Sequence, residues 1–205
     1  MIATSHQHVD AHGRLFNRIA APYQWFFQSQ VKYYTTAIAK LPIPLPIPPR
    51  SRVLDIGCGT GALAKTLQQM GHVVSGVDIA PRMAALAWRN GIDCIVGDVV
   101  KGLPFKDCEF DMVTCAFFIH GIPEAERSRA LEEASRVSQH GLFIIDYNTS
   151  TSHPAWYVRS VEAIEGGDYI GFMRTGLSEL QGAFHRVEIH EASKTTAFYL
   201  CSVPR

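Results

Sequence analysis

Basic residues do not outnumber acidic ones in this chain: 19 lysines and arginines stand against 19 aspartates and glutamates, a formal net charge of +0 over 205 residues. A protein that grips nucleic acid by its phosphates carries a basic excess, so composition speaks against that partner. No run of about 18 apolar residues is present, and no membrane span is expected. The opening MIATSHQHVDAHGR lacks the basic start, apolar stretch and cleavage site of a secretory signal. The five cysteines, Cys58, Cys94, Cys108, Cys115 and Cys201, are odd in number and widely spaced. They suit buried thiols in a reducing cytoplasm, the expected location, and neither a disulfide frame nor a zinc site. His6, His8 and His12 read as a frayed tail and not as a metal cluster.

What is present is ordinary globular material, with 47% apolar and 19% charged residues. Residues 1–50 form an N-terminal cover and connector. An aromatic-rich stretch, GRLFNRIAAPYQWFFQSQVKYYTTAIAK (13–40), is expected to be helical on both sides of Pro22. LPIPLPIPPR (41–50) follows, and alternate prolines forbid helix and deny amide donors to an inner strand. It reads as a stiff extended connector that packs its Leu and Ile side chains on the fold.

Residues 51–205 carry the main domain. Strand-like runs occur at 52–56, 73–77, 92–96, 110–118 and 141–147, with helix-like stretches between them at 61–70, 81–90 and 124–139. Alternation of this kind predicts an α/β fold, a parallel sheet covered by helices on both faces. The pattern breaks near the end. After helices at about 154–165 and 176–182, strands at 184–191 and 195–203 are separated only by Ala192, Ser193 and Lys194. So short a joint requires a hairpin, and the last strand runs antiparallel.

The first strand leads into VLDIGCGTG (53–61). Glycines between a strand and a helix present free amides and the positive helix end to a ligand. Gly57 and Gly59 with Ala62 fit a dinucleotide fingerprint, and Gly57, Gly59 and Gly61 fit equally well the loop of methyl-donor enzymes. Asp78, after the second strand, can grip ribose hydroxyls in either case. Two further carboxylates separate the readings. Asp55 would repel a pyrophosphate and welcome an ammonium group. Asp98, after the third strand, can accept from an exocyclic amine such as that of adenine. S-adenosylmethionine has an amino-acid end, a ribose and an adenine, and suits all three positions.

Taken together, VLDIGCGTG, GVDIAPRMAALA, GDVVKGLPF, FDMVTCAFFIHGI and GLFIIDYN resemble a class I S-adenosylmethionine-dependent methyltransferase over about residues 52–203. The segment FNRIAAPYQ resembles the opening of the ubiquinone- and menaquinone-biosynthesis type of small-molecule methyltransferase. The resemblance implies a Rossmann-like, doubly wound seven-stranded sheet of order 3-2-1-4-5-7-6 with strand 7 antiparallel. It implies S-adenosylmethionine as cofactor, with Gly57, Gly59 and Gly61 lining its methionine part and ribose and Asp55 supporting the loop. Asp78 would bind the ribose hydroxyls, Ile79 one adenine face, and Asp98 with the Val99 amide the adenine edge. Ala116 and Phe117 would border the methionine carboxylate and amine, and Tyr23 would fold over the cofactor. Cys58 and Met83 complete the expected contact set. RVSQHG stands where the family often has R-V-L-K-P-G-G, and motifs specific to quinone substrates are missing.

The methyl group of a sulfonium is already electrophilic, so the protein has mainly to align a nucleophile and exclude water. No catalytic dyad stands out in the sequence. His120, in FFIHGIP at the end of the fourth strand, is the candidate general base, set against a plain loop-capping role. Tyr147 and Asn148 end the fifth strand on the same edge. EGGDYIGFMR (165–174) reads as a surface loop whose glycines would let it swing, bringing Asp168, Tyr169 and Arg174 to a substrate. Asp146 and Asn148 suggest magnesium only weakly, because no third oxygen ligand is evident, and no metal is expected. The Asn/Asp-Pro-Pro motif of amino-methylating DNA enzymes is absent. The expected acceptor is a small, fairly apolar molecule. A nicotinamide-dependent oxidoreductase and a non-catalytic binding protein of the same fold are the alternatives.

Overall fold

In the computed structural model the structure describes residues 4–43, 45, 47–150 and 167–203. Seven strands form one sheet: β1 (Arg52–Ile56), β2 (Val73–Asp78), β3 (Asp93–Val96), β4 (Met112–Ala116), β5 (Gly141–Tyr147), β6 (Arg186–Glu191) and β7 (Thr196–Ser202). Their order is β3-β2-β1-β4-β5-β7-β6. The first five strands pair in parallel, and β7 runs antiparallel to both β5 and β6. The hairpin expected from the three-residue joint is therefore present, and the sheet has the order the resemblance implied.

The helices are α1 (Thr4–Trp25), α2 (Phe27–Ile38), α3 (Ala62–Gln69), α4 (Pro81–Arg89), α5 (Glu124–Val137) and α6 (Tyr169–Ala183). One core cluster joins Phe27, Val31 and Tyr34 of α2 to Leu63 and Leu67 of α3 and to Val53, Phe143 and Phe198 of the sheet. A second joins Leu131, Ala134 and Val137 of α5 and Phe172 and Leu180 of α6 to Leu54, Val113 and Ile144. β1, β4 and β5 are buried almost throughout, as strands covered on both faces must be.

The expectations for the helices fare differently. Residues 6, 8 and 12 lie in α1 and not in a frayed tail, since that helix starts at Thr4. The stretch is helical on both sides of Pro22, as expected: the exposed proline lies within α1, which continues to Trp25, and the interruption falls at Phe26. The proposed surface loop at 165–174 and the short helix at 176–182 are replaced by α6 from Tyr169 onward. Asp168 starts that helix by accepting from the amide of Gly171, an N-cap. The helix expected at 154–165 lies outside the described residues. The connector after α2 is neither helix nor strand where described, and Leu41, Leu45 and Ile47 pack against the core. Cys58, Cys115 and Cys201 are buried, whereas Cys94 is half-buried and Cys108 exposed. Among the described residues no helix is long and apolar enough to cross a membrane.

Candidate functional site

Parallel strands in this order leave a crevice at their carboxyl ends, between β1 and β4, where the winding reverses. A cavity of about 340 Å³ lies there. Its floor is the glycine loop. Gly57, Gly59 and Gly61 all have positive φ (61°, 56° and 83°), a conformation costly for residues with a side chain. They serve different ends. A methyl group added at Gly57 would run into the ring of Phe118, and one at Gly61 would come within 2.8 Å of Ile92, while nothing lies within 4 Å of such a group at Gly59. Gly59 is thus the open position. Gly61 lets α3 start against Ala87 of α4 and Ile92, the residue before β3, and it does not line the cavity.

Three carboxylates line the cavity, one beyond or near the end of each of β1, β2 and β3. Asp55 is 1% exposed. Its Oδ1 accepts from the Thr114 hydroxyl at 3.0 Å, and its Oδ2 is buried. Burial pushes its pKa up to about 7, against the lowering effects of the Thr114 hydroxyl and the Ala64 backbone amide. Asp78 accepts from the amides of Gly59 and Ala80, each at 2.8 Å, so it fixes the loop as well as facing the cavity. Burial raises it to about 6. Asp98 accepts from the Val100 amide at 3.0 Å and pairs with Lys101 at 3.1 Å. Among the described residues that line the cavity none is a lysine or arginine. A buried carboxylate without a cation costs stability. The surroundings of Asp55 and Asp78 suit a ligand that brings positive charge with it, and a pyrophosphate would meet repulsion.

Ile79, Met83, Val99, Ala116, Phe117 and Cys58 also line the cavity, as does Tyr23. The wall above the strand ends comes from the N-terminal helices: Phe16 and Tyr23 of α1, and Gln30 and Tyr34 of α2. Gln30 and Tyr34 were not foreseen. Their mutual spacing of four residues within α2 is the helical interval that puts side chains on one face, and it was the available signal.

On the far side of β4 the chain turns sharply at Phe117, a non-glycine residue with φ +49°. A 3-10 turn at Ile119–Gly121 follows. His120 sits in this turn, 4% exposed, and lines the cavity. Its Nδ1 lies 2.6 Å from Oδ1 of Asp146, which is 0% exposed at the end of β5. Asp146 also accepts from the amides of Ile119, His120 and Tyr147. With a carboxylate against it, Nδ1 carries a proton, which leaves Nε2 as the nitrogen where proton exchange can occur. The ring meets Tyr147 edge-on at 4.7 Å between centroids, and Tyr147 meets Tyr169 at 4.6 Å and Phe117 at 5.6 Å.

The structure therefore brings His120 and Tyr147 to the cavity and leaves Asn148, Asp168, Tyr169 and Arg174 outside its lining. Tyr169 is buried behind Tyr147. Asn148 is bonded to Glu191 and to the carbonyl of Ser193. Arg174 is on the exposed face of α6, 3.6 Å from Glu124, because a helix and not a swinging loop carries it. Asp146 is engaged with His120 and Asn148 with Glu191, and among the described residues no group of three His, Cys, Asp or Glu side chains placed to hold a metal occurs. The sequence reading did not pair Asp146 with His120. A lone carboxylate closing an otherwise apolar strand was the signal, and it was weighed only as a metal ligand.

Comparison with known proteins agrees with this geometry. A family profile described as "Methyltransferase domain" matches residues 54–145. The demethylmenaquinone methyltransferase of Tropheryma whipplei is 31% identical over 157 residues, 71% of this chain and 61% of that protein. The 18S rRNA (guanine-N(7))-methyltransferase of Bos taurus is 42% identical over 84 residues, 40% of this chain and 29% of that protein. The chain spans 46% to 61% of the length of the first curated relatives it matches. A crystal structure from Thermotoga maritima, described as an S-adenosylmethionine-dependent methyltransferase and possible histamine N-methyltransferase, shares the fold. Its TM-score is 0.67 at 20% identity, covering 93% of this chain and 99% of that one.

Proposed function

The chain belongs to the class I S-adenosylmethionine-dependent methyltransferases, and on that premise we propose that it methylates a small, fairly apolar acceptor whose leaving proton is taken by His120. The observation that carries the reading is the buried carboxylate of Asp55, in a cavity lined by two more carboxylates and, among its described residues, by no lysine or arginine. A ligand with an ammonium group supplies the missing positive charge. The cofactor, when bound, provides a sulfonium-activated methyl group. Asp55 and Asp98 would hold its amino-acid and adenine ends, and Asp78 its ribose.

The remaining work belongs to the chain's own groups. Tyr23, Gln30 and Tyr34 cover the cavity and keep water from the reacting atoms. Phe117, Tyr147 and His120 form an aromatic wall suited to an apolar acceptor. Orientation of two reactants in such a space contributes ~7–11 kcal/mol when the geometry is good. His120 Nε2 receives the acceptor's proton while Asp146 holds Nδ1–H and steadies the cation that forms. A positioned base of this kind adds about 10²–10⁴-fold. The zero net charge and the anionic cavity both favour a small molecule over a nucleic acid.

Calorimetry with S-adenosylhomocysteine and with NAD tests the binding half; binding of NAD in preference would overturn it. Transfer of labelled methyl from S-adenosylmethionine onto separate pools of phenols, thiols, amines and oligoribonucleotides tests the acceptor class. Labelling confined to the oligoribonucleotides would refute the small-molecule reading.

A further inference from the structure

The loop that carries the cofactor contacts also carries a thiol with a neighbour. Sγ of Cys58 lies 3.4 Å from Sγ of Cys94. Cys58 belongs to the turn after β1 and lines the cavity, and Cys94 sits in β3, so the two sulfurs meet across the intervening strand β2. They can do so because Gly76 of β2 lies beneath them. A methyl group there would fall 2.8 Å from Cys58 Sγ and 3.3 Å from Cys94 Sγ. Cys94 is paired with Gly76 in the β2–β3 register and is held by the sheet. Cys58 stands between two glycines of positive φ, where the backbone can shift.

We propose that Cys58 and Cys94 form a disulfide-forming modification site on the cofactor loop, with a low-molecular-weight disulfide as the oxidant. The proposal rests on the reading of the cavity as the cofactor site. The half-buried Cys94 reacts first. Its thiolate attacks one sulfur of the oxidant, releasing one thiol and leaving Cys94 in a mixed disulfide. Cys58, which the adjoining Cys94 thiol and burial hold protonated in the resting state, then gives up its proton as its sulfur displaces the second thiol. Two protein thiols are oxidised to one disulfide, and one small disulfide is reduced to two thiols, each taking one of the protons.

Bond formation brings the sulfurs from 3.4 Å to about 2.05 Å. Since β3 is fixed by its ladder, the glycine loop must travel. The Cys58 amide donates to the Val77 carbonyl and the Gly59 amide to Asp78, so displacement of Cys58 moves the two groups that define the cavity floor. The oxidised protein accordingly binds the cofactor more weakly. By reciprocity the bound cofactor disfavours the disulfide by the same factor.

The test uses the full chain incubated with glutathione disulfide, followed by peptide mapping under non-reducing conditions and calorimetry with S-adenosylhomocysteine. A linked peptide joining residues 58 and 94 is expected, with affinity reduced about tenfold or more and restored by dithiothreitol. The Cys94→Ser variant should bind S-adenosylhomocysteine as the reduced wild type does and should not respond to oxidation. A Cys108→Ser variant, which removes the exposed thiol, should respond as the wild type does. Absence of the 58–94 link, or a linked protein of unchanged affinity, overturns the proposal. Reduced protein that fails to bind S-adenosylhomocysteine would instead refute the cofactor reading of the cavity, and the gating of it by these thiols falls with that reading.

Discussion

The imidazole of His120 and the carboxylate of Asp146 are joined at 2.6 Å between the ends of two adjacent strands, β4 and β5. The bond is fully buried on the aspartate side, and three backbone amides hold that aspartate in place. It fixes which ring nitrogen can receive a proton from the cavity. Replacing His120 with Ala is expected to lower methyl transfer at least about tenfold. S-adenosylhomocysteine affinity should stay the same, measured by calorimetry. Unchanged turnover would remove His120 from the reaction.

Asp146→Asn separates orientation from bulk. An amide in that place can turn an N–H toward Nδ1, favouring the opposite tautomer and leaving Nε2 protonated. Turnover should fall about as far as in His120→Ala, with the cofactor still bound. Nitrogen chemical shifts of the labelled ring provide the independent readout, since a purely structural role would not exchange the protonated nitrogen.

Asp55 titrates with a raised pKa of about 7 in the folded chain without cofactor. A cationic group placed beside it favours the ionised form, so cofactor binding expels a proton below that pH. Affinity for S-adenosylhomocysteine should therefore rise from roughly pH 6 to pH 8 and level off above. Titrations in buffers of different ionisation enthalpy would show the released proton. A flat profile would contradict the assignment of Asp55 to the ammonium end.

Stability without cofactor should move the other way. An acid whose folded pKa lies above its unfolded value binds more protons when folded, so stability is greatest at low pH. It declines as pH rises from the unfolded pKa through the folded one, here between roughly 4 and 7. Asp78, raised to about 6, adds in the same sense. Asp55→Asn removes the larger part of this dependence. Its melting temperature should exceed that of the wild type at pH 8 by several degrees, with cofactor affinity at least about tenfold lower.

Arg127 is 0% exposed and bridges α5 to α6, reaching Asp168 at 3.0 Å and Glu179 at 2.8 Å. Truncation to Ala would strand two carboxylates and loosen the helix that carries Tyr169 behind Tyr147. A loss of ~3–5 kcal/mol is expected, read by denaturant unfolding. A loss below about 1 kcal/mol would show that solvent reaches the site.

Most of the sheet was legible because its strands are short apolar runs separated by helical stretches, and the closing hairpin followed from a joint too short for a crossover. The carboxylates Asp55, Asp78 and Asp98 were legible for a related reason: each stands at a strand end, where the topology brings loops together. Other features depended on contacts that a linear pattern does not display. Nothing in EGGDYIGFMR foretold that Asp168 would cap a helix and take Arg127 as a partner, so the segment read as a loop. The pairing of His120 with Asp146 joins residues 26 apart, and only the β4–β5 register brings them side by side. Arg174 was placed near the substrate on the assumption of a mobile segment, and the helix turns it outward.

The position of β7 between β5 and β6 has a consequence for how the molecule matures during synthesis. Residues 141–147 leave the ribosome long before residues 196–202, so β5 must wait with one edge bare. When β7 arrives, Phe198 stacks on Phe143, and Tyr199 ties its hydroxyl to the Tyr147 carbonyl. Asp146 and Tyr147 acquire their final neighbours, Ala197 and Thr196, only then. In a nascent chain halted before that strand, the end of β5 that carries the partner of His120 lacks its neighbour.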